Sequence, residues 1–196
     1  MTKNLVAELA YQLRYAVPVW LCTLMCSFLP DAGPFIRLRG LLVSTFLPGR
    51  PRNLTLGRDV SILAINRFWI GDNVYIAKGC WFNAIGGIYI DNEVIFSPYV
   101  VMSSSNHGFK DGSVRNGGAH PAPISIGFGT WVAAHAVIAA GVKVGPGNLI
   151  AANSVVTKDT PFNVIVAGVP GRVLHARRDN PSDIISKHQV SCEKVV

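Results

Sequence analysis

The chain has 196 residues, of which 49% are hydrophobic and 15% charged, with a formal net charge of +7 at pH 7. This length fits one domain with an appendage, and so apolar a composition indicates buried parallel strands, an oligomer interface or contact with a membrane. The positive charge suits an anionic partner, but the Lys and Arg residues are scattered and accompany no nucleic-acid-binding motif, which argues against a nucleic-acid-binding function.

The first 50 residues are predicted to form a helical, apolar and basic appendage. Apolar residues recur at nearly helical spacing, namely Leu5, Leu9, Leu13, Val17, Leu21, Leu24 and Phe28. The uncharged run at 15–30 contains Pro18 and is shorter than the ~20 residues that a spanning helix needs. Since Glu8 and Arg14 precede this run, it also makes a poor signal peptide, and we expect a cytoplasmic protein.

Two roles are open for this appendage. Its helices either cap the end of the main domain or lie on the inner face of an anionic cytoplasmic membrane, and both can hold together. The membrane role is suggested by four arginines that flank apolar residues, namely Arg37, Arg39, Arg50 and Arg52.

The four cysteines include no Cys-x-x-Cys pair. Cys22 and Cys26 lie one helical turn apart within the apolar run. We therefore expect small buried side chains in a reducing compartment, and neither a disulfide framework nor a metal site.

A six-residue repeat decides the predicted fold of residues 51–175. An aliphatic residue returns every six positions, and Gly or Ala follows it in five of six cases, at Ile126, Val132, Ile138, Val144, Ile150 and Val156. The same period, interrupted by two eight-residue steps, runs through Leu56, Ile62, Ile70, Ile76, Phe82, Ile90, Phe96 and Met102. This period predicts a mainly β triangular prism, with one hexapeptide on each face and residues 18 apart stacked in successive coils. Two extra residues at a corner would account for each longer step. After the repeats, a polar tail is expected at 176–196.

A long loop interrupts the repeat between Met102 and Ile124. Loops that leave a rigid scaffold often carry function, and His107 lies at the root of this one. Because an alcohol is a poor nucleophile while protonated, an imidazole at this position suits a general base.

The repeats and their loop resemble the hexapeptide-repeat acyltransferases, closest to the galactoside and maltose O-acetyltransferases and to polysaccharide O-acetyltransferases. The segments that carry the resemblance are His107 with its loop, the return 123–127 with Trp131, the coil 150–159, and the segment 167–172. The resemblance implies a left-handed parallel β-helix, an exception to right-handed crossovers. It further implies a homotrimer that uses acetyl-CoA to acetylate a sugar hydroxyl, here expected in surface polysaccharide or lipopolysaccharide biosynthesis.

The same resemblance implies roles for individual residues. His107 is the expected base, and the N–H of Ala134 is an expected oxyanion donor or cofactor contact. The expected acetyl-CoA contacts are Ala134, Ala152, Thr157, Lys158 and Arg172. The expected contacts with the carbohydrate acceptor are Trp81, Asn83 and Arg115.

Three alternatives stay open. N-acylation of an amino sugar, or acetylation of a xenobiotic, would use the same donor and base. A zinc carbonic anhydrase on this prism would need clustered histidines, and His107, His120 and His135 include no pair five apart. A non-catalytic solenoid that only binds carbohydrate would have no need of His107.

Overall fold

The computed structural model describes residues 2–177, with side chains from residue 5 onward. Almost all of the tail expected at 176–196 therefore lies outside the described residues. Short strands wind through three flat faces around one buried column of aliphatic and aromatic side chains. This architecture confirms the predicted parallel β-helix.

Face A is a seven-stranded sheet that runs the length of the prism. Its strands, in spatial order, are β1 (Thr55–Leu56), β4 (Tyr75–Ile76), β7 (Ile95–Phe96), β12 (Trp131–Val132), β15 (Leu149–Ile150), β17 (Val164–Ala167) and β18 (Arg172–Ala176). All neighbouring pairs are parallel except the last, because β17 and β18 form an antiparallel hairpin that ends the sheet.

Faces B and C complete the triangle. Face B contains β2 (Ser61–Leu63), β5 (Trp81–Asn83), β8 (Val101–Ser103), β13 (Val137–Ile138) and β16 (Val155–Val156). Face C contains β3 (Phe68–Ile70), β6 (Ile88–Ile90), β11 (Ile124–Ile126) and β14 (Lys143–Val144). We number the coils 1 to 6 from the strand that each contributes to face A, from β1 to β17. The chain passes from face A to face B at the AB edge, and from face B to face C at the BC edge.

The register of the strands confirms the predicted stacking. Ile126 pairs with Val144, and Ile138 pairs with Val156, at the predicted separation of 18. Every repeat position named above is buried except Ile62, which is half-buried against the core. One inward side chain from each face of each coil therefore builds the continuous column that no single coil could bury.

Both eight-residue steps of the repeat fall at the BC edge, so their extra residues lie at a corner, as predicted. Coils 1 and 2 pair with a separation of 20, as in Ile62 with Phe82. The additional residues of coil 1 form a 3-10 turn, Ile65–Arg67. In coil 3 the same edge carries the long loop, so the BC edge accommodates the insertions of the first three coils.

The N-terminal region is helical, as predicted, and lies across the coil 1 end of the prism. It comprises α1 (Thr2–Tyr11), a π-helical segment (Gln12–Ala16), α2 (Val17–Met25) and α3 (Gly33–Ser44). Tyr11, Tyr15 and Val19 pack against the core, whereas the predicted leucine stripe lies on the outer side and is exposed. The helices do cap the prism, but through a face that the spacing of leucines did not identify.

One of the four arginines that suggested the membrane role does not lie at the surface. Arg39 is 3% exposed, and its guanidinium donates to Asp31 at 2.7 Å and to the carbonyl of Leu29. A buried cation requires such partners, so Arg39 holds the turn between α2 and α3. Arg52 remains exposed and binds Asp72 through two side-chain hydrogen bonds of 2.8 and 2.6 Å.

Candidate active site

The long loop begins as a hairpin that leaves the BC edge in coil 3. Its strands are β9 (Ser105–His107) and β10 (Ala119–Pro121), and His107 pairs with Ala119. The N–H of Gly108 donates to the carbonyl of Gly118 at 3.0 Å, which extends the pairing one residue past His107. The His107 side chain is exposed, and within residues 2–177 its imidazole has no hydrogen-bond partner. Such an imidazole is free to exchange a proton with a substrate.

Ser104 fixes the root of this hairpin to the scaffold. It is fully buried, and its hydroxyl donates to the carbonyl of Asn83 at 2.7 Å and accepts from the N–H of Gly86 at 2.8 Å. A Cβ added at Gly86 would overlap the Ser104 carbonyl oxygen, so only glycine allows the two coils to approach this closely. His107 therefore lies three residues beyond an anchored position.

The AB edge presents unpaired backbone donors in coils 4 and 5. Ala134 and Ala152 occupy equivalent corners, because the N–H of Asn153 donates to the carbonyl of Ala134 at 3.0 Å. Within the described part of the chain, the N–H groups of Ala134 and Ala152 donate to no protein acceptor. A free N–H at a rigid corner can bind a developing oxyanion or a polar group of a cofactor.

Arg172 lies at the same edge, one coil further along. The turn before it is held by the N–H of Gly168, which donates to the Ser154 hydroxyl at 3.2 Å, and by the N–H of Gly171, which donates to the carbonyl of Val155 at 2.8 Å. The Arg172 side chain is exposed and its guanidinium contacts the carbonyl of Gly171 at 3.1 Å. Most of its donors are available to an anion such as a phosphate.

Thr157 and Lys158 lie at the other edge of face B. They follow β16 at the BC edge and both are exposed. The next residue, Asp159, accepts from the N–H of Lys143 at 2.8 Å and holds this segment against β14. The expected acetyl-CoA contacts therefore divide: Thr157 and Lys158 share an edge with the His107 hairpin, whereas the others do not.

The width of face B separates the two groups within one chain. From Tyr99 at the AB edge to Ser104 at the BC edge the chain advances five residues, or about 16 Å in extended conformation. The expected base and the expected oxyanion donor therefore lie on opposite corners of the prism. A site that uses both requires a second chain.

The expected acceptor contacts are also separated. Asn83 pairs with Ser103 near the hairpin root, and its side-chain oxygen accepts from the N–H of Ile85 at 3.2 Å. Trp81 is exposed at the AB end of the same strand. Arg115 is exposed in the loop, beyond the paired part of the hairpin. Their roles stay predictions.

Sequence reasoning missed an aromatic pair at the AB edge. The rings of Tyr99 in coil 3 and His135 in coil 4 stack with centroids 5.1 Å apart and an interplanar angle of 15°. Both residues have left-handed backbones, with φ of 61° and 59°, which are uncommon for bulky side chains. The sequence does contain a signal for this pair. Both residues occupy the same corner position as Gly79 and Asn153, because backbone hydrogen bonds keep these corners in register.

The described residues contain no cluster of three or more His, Cys, Asp and Glu side chains able to hold a metal ion. Nor does any described helix have the length and apolar character required to cross a bilayer.

Comparison with known proteins gives four findings. The model of the family described as bacterial transferase hexapeptide (six repeats) matches residues 123–158. The chain is 33% identical to the galactoside O-acetyltransferase of Escherichia coli (strain K12) over 178 residues, which cover 81% of this chain and 86% of that protein. It superposes on a galactoside acetyltransferase in complex with coenzyme A with a TM-score of 0.73 and 26% identity, covering 87% of this chain and 84% of the other.

A hexapeptide-repeat acetyltransferase of Vibrio cholerae O1 biovar eltor, complexed with acetyl coenzyme A, shares the fold. The superposition has a TM-score of 0.71 and 24% identity, and it covers 83% of this chain and 87% of the other.

Proposed function

Because this chain belongs to the hexapeptide-repeat acyltransferases, the family of galactoside O-acetyltransferase, we propose that it transfers an acetyl group from acetyl-CoA to a sugar hydroxyl. The observation that carries the proposal is His107, an exposed imidazole with a free ring on an anchored hairpin. The 26%-identical galactoside acetyltransferase that binds coenzyme A supports the donor.

In the proposed reaction His107 removes the proton of the attacking hydroxyl as the oxygen bonds to the acetyl carbon. The N–H of Ala134 donates to the thioester oxygen as negative charge develops there. The bond to sulfur then breaks, and the imidazolium returns the proton to the departing CoA thiolate. Arg172 and Lys158 bind phosphates of the donor, and Ala152 and Thr157 contact it through their backbones.

We further propose a homotrimer in which each site lies between two chains. The BC edge of one chain supplies His107, Thr157 and Lys158, and the AB edge of its neighbour supplies Ala134 and Ala152. The support is the width of face B, which keeps these groups apart in one chain. With a threefold axis parallel to the prism, residues of the same coil lie at the same height in every chain.

The setting proposed is the cytoplasmic face of a membrane, in surface polysaccharide or lipopolysaccharide biosynthesis. The exposed apolar residues of α1 and α2 support peripheral contact.

The test is acetyl transfer by His107→Ala, measured as release of the CoA thiol. Turnover should fall by roughly 10²–10⁴-fold, the usual contribution of a positioned base, while acetyl-CoA affinity measured by calorimetry should change little. Asn106→Ala is the matched control, since Asn106 is an exposed neighbour on the same strand. Near-normal turnover in His107→Ala would refute the mechanism and leave the fold unaffected.

A further inference from the structure

The π-helical segment and α2 have two apolar faces, of which only one is covered, whereas the side chains of residues 5–10 in α1 are all exposed. Tyr11, Tyr15 and Val19 pack on the core. The outer face exposes large apolar side chains along both helices, namely Leu5, Val6, Leu9, Leu13, Val17, Trp20, Leu21, Leu24, Met25 and Phe28. Leu13 is 72% and Trp20 is 59% exposed. A surface with so many neighbouring large apolar side chains marks a docking surface.

This outer face lies across the end of the prism. The π-helical segment contacts the turn Ile65–Arg67 at the BC edge of coil 1, and α2 borders residues 57–61 at its AB edge. The π-helical segment and α2 thus span the end of the prism from edge to edge, with the outer face directed away from the coils. In a trimer with a parallel threefold axis, three copies of this face lie at the same end.

The charges on this face favour a lipid surface. Between residues 5 and 28 the charged side chains are Glu8 and Arg14 alone, and the exposed Arg37 lies in α3, which contacts α2. An apolar face with an exposed Trp and a basic margin has the chemistry of a helix that lies in the headgroup region of an anionic bilayer.

A cavity connects this face to the AB edge. It has a volume of about 240 Å³ and lies between Trp20 and Leu24 of α2 and Gly57 and Arg58 of coil 1. The rest of its lining consists of the apolar residues Leu56 and Val60 and the polar residues Thr23, Ser27, Arg39, Asp59 and Ser61. Its coil 1 side, residues 57–61, is the first corner of the edge that carries Ala134 and Ala152 in coils 4 and 5.

The spacing of the coils sets the distance from this cavity to the chemistry. His107 leaves the prism in coil 3, two coil steps or about 10 Å above coil 1. With the helices flat on a bilayer and about 10 Å in diameter, the reacting hydroxyl lies about 20 Å above the lipid surface. A short saccharide attached to a lipid spans that height along the AB edge.

We propose that the acceptor is a lipid-linked saccharide, which rests on the proposed acetyl transfer to a sugar. The outer face of α1 and α2 lies on the membrane that holds the lipid. The cavity takes the polar linker between lipid and sugar, and the saccharide follows the AB edge to the His107 of the neighbouring chain.

The experiment compares matched pairs of acceptors that differ only in their anchor. A galactose tetrasaccharide linked to diacylglycerol, in phosphatidylglycerol vesicles, is paired with the soluble methyl glycoside of the same tetrasaccharide, and the same pairing is made with tetrasaccharides of glucose and of N-acetylglucosamine. CoA release should give a kcat/KM at least about tenfold higher for the vesicle-borne sugar. The double variant Leu9→Glu, Leu13→Glu changes two exposed residues outside the cavity. It should lose that advantage and should no longer float with the vesicles, with unchanged kcat/KM on the soluble sugar.

Phe162→Glu is the control for an added charge, because Phe162 is 52% exposed in the segment after β16, at the opposite end of the prism. The proposal is overturned if the wild type shows no preference for vesicle-borne sugar, or if the double variant keeps that preference. A changed sedimentation mass of the double variant also overturns it, since a second copy would then cover the outer face. If the wild type acetylates neither form of any sugar, the proposed function is wrong. Vesicle flotation then tests the membrane contact by itself, and wild-type protein that does not float with the vesicles overturns that contact.

Discussion

Ser104→Ala tests whether the hairpin root determines the position of His107. The Ser104 hydroxyl is the acceptor for the N–H of Gly86 at 2.8 Å, whereas the Asn83 carbonyl would keep its bond from the Ser104 N–H at 2.9 Å. The substitution therefore leaves one partly buried donor unpaired, at a cost of about 1–2 kcal/mol. For a chain of this size that corresponds to a fall in Tm of about 2–8 °C.

The same change should lower kcat about tenfold by loosening the backbone three residues before the proposed base, with little effect on the KM for acetyl-CoA. Thermal unfolding at one fixed protein concentration and steady-state CoA release measure the two effects. Ser105→Ala is the control, because its hydroxyl makes only a 3.5 Å contact with the Asn106 carbonyl. Unchanged Tm and kcat in Ser104→Ala would show that the hairpin holds its position without this anchor.

Three other perturbations follow from particular contacts. Arg172→Ala should weaken acetyl-CoA binding about tenfold in calorimetry while sparing kcat, and an unchanged Kd would remove Arg172 from the donor site. Hydrogen bonds from the Arg52 N–H and guanidinium lower the pKa of Asp72 below its usual 3.8, so the stability that Asp72 contributes is complete above about pH 5 and is lost as the pH falls through the lowered pKa. The difference in Tm between the wild type and Asp72→Asn should therefore narrow below about pH 4, and a constant difference would contradict this linkage. Burial raises the pKa of Cys80 to about 11, so iodoacetamide at pH 8 should leave Cys80 unmodified in folded protein and alkylate it after unfolding, as read by mass spectrometry.

The prism could be predicted from sequence because its repeat is strict. Ile126, Val132 and Ile138 each pair with the residue 18 positions on, and a period of six suits neither an α-helix nor an alternating strand. The extra residues were expected at corners because each eight-residue step leaves the strands on either side in phase, as the register of coils 1 and 2 shows.

The orientation of the N-terminal helices could not be predicted, because both of their faces are apolar. Leu13 and Tyr15 are equally acceptable core residues by composition, yet Leu13 is exposed and Tyr15 packs on the core. Spacing shows which residues share a face, but not which face another element covers. The burial of Arg39 could not be predicted either, because its partner Asp31 lies across a turn whose shape the sequence pattern does not specify.

The residues of the candidate site could be named from the sequence and their roles stay predictions, but their arrangement in space could not be predicted. His107 was identified by its place at a loop root, and Ala134 and Ala152 by the resemblance to the hexapeptide-repeat acyltransferases. The edge at which each corner residue lies depends on which faces the flanking strands join. The structure was needed to show that β12 joins face A and β13 joins face B.

The separation of His107 from Ala134 by the width of face B has a genetic consequence. If each site joins the BC edge of one chain to the AB edge of the next, a chain inactivated at one edge still offers an intact second edge to its neighbours. Random trimers assembled from equal amounts of a chain disabled at His107 and a chain disabled at the AB edge would regain about one quarter of their sites. Two alleles that are each inactive would then complement one another within a single cell.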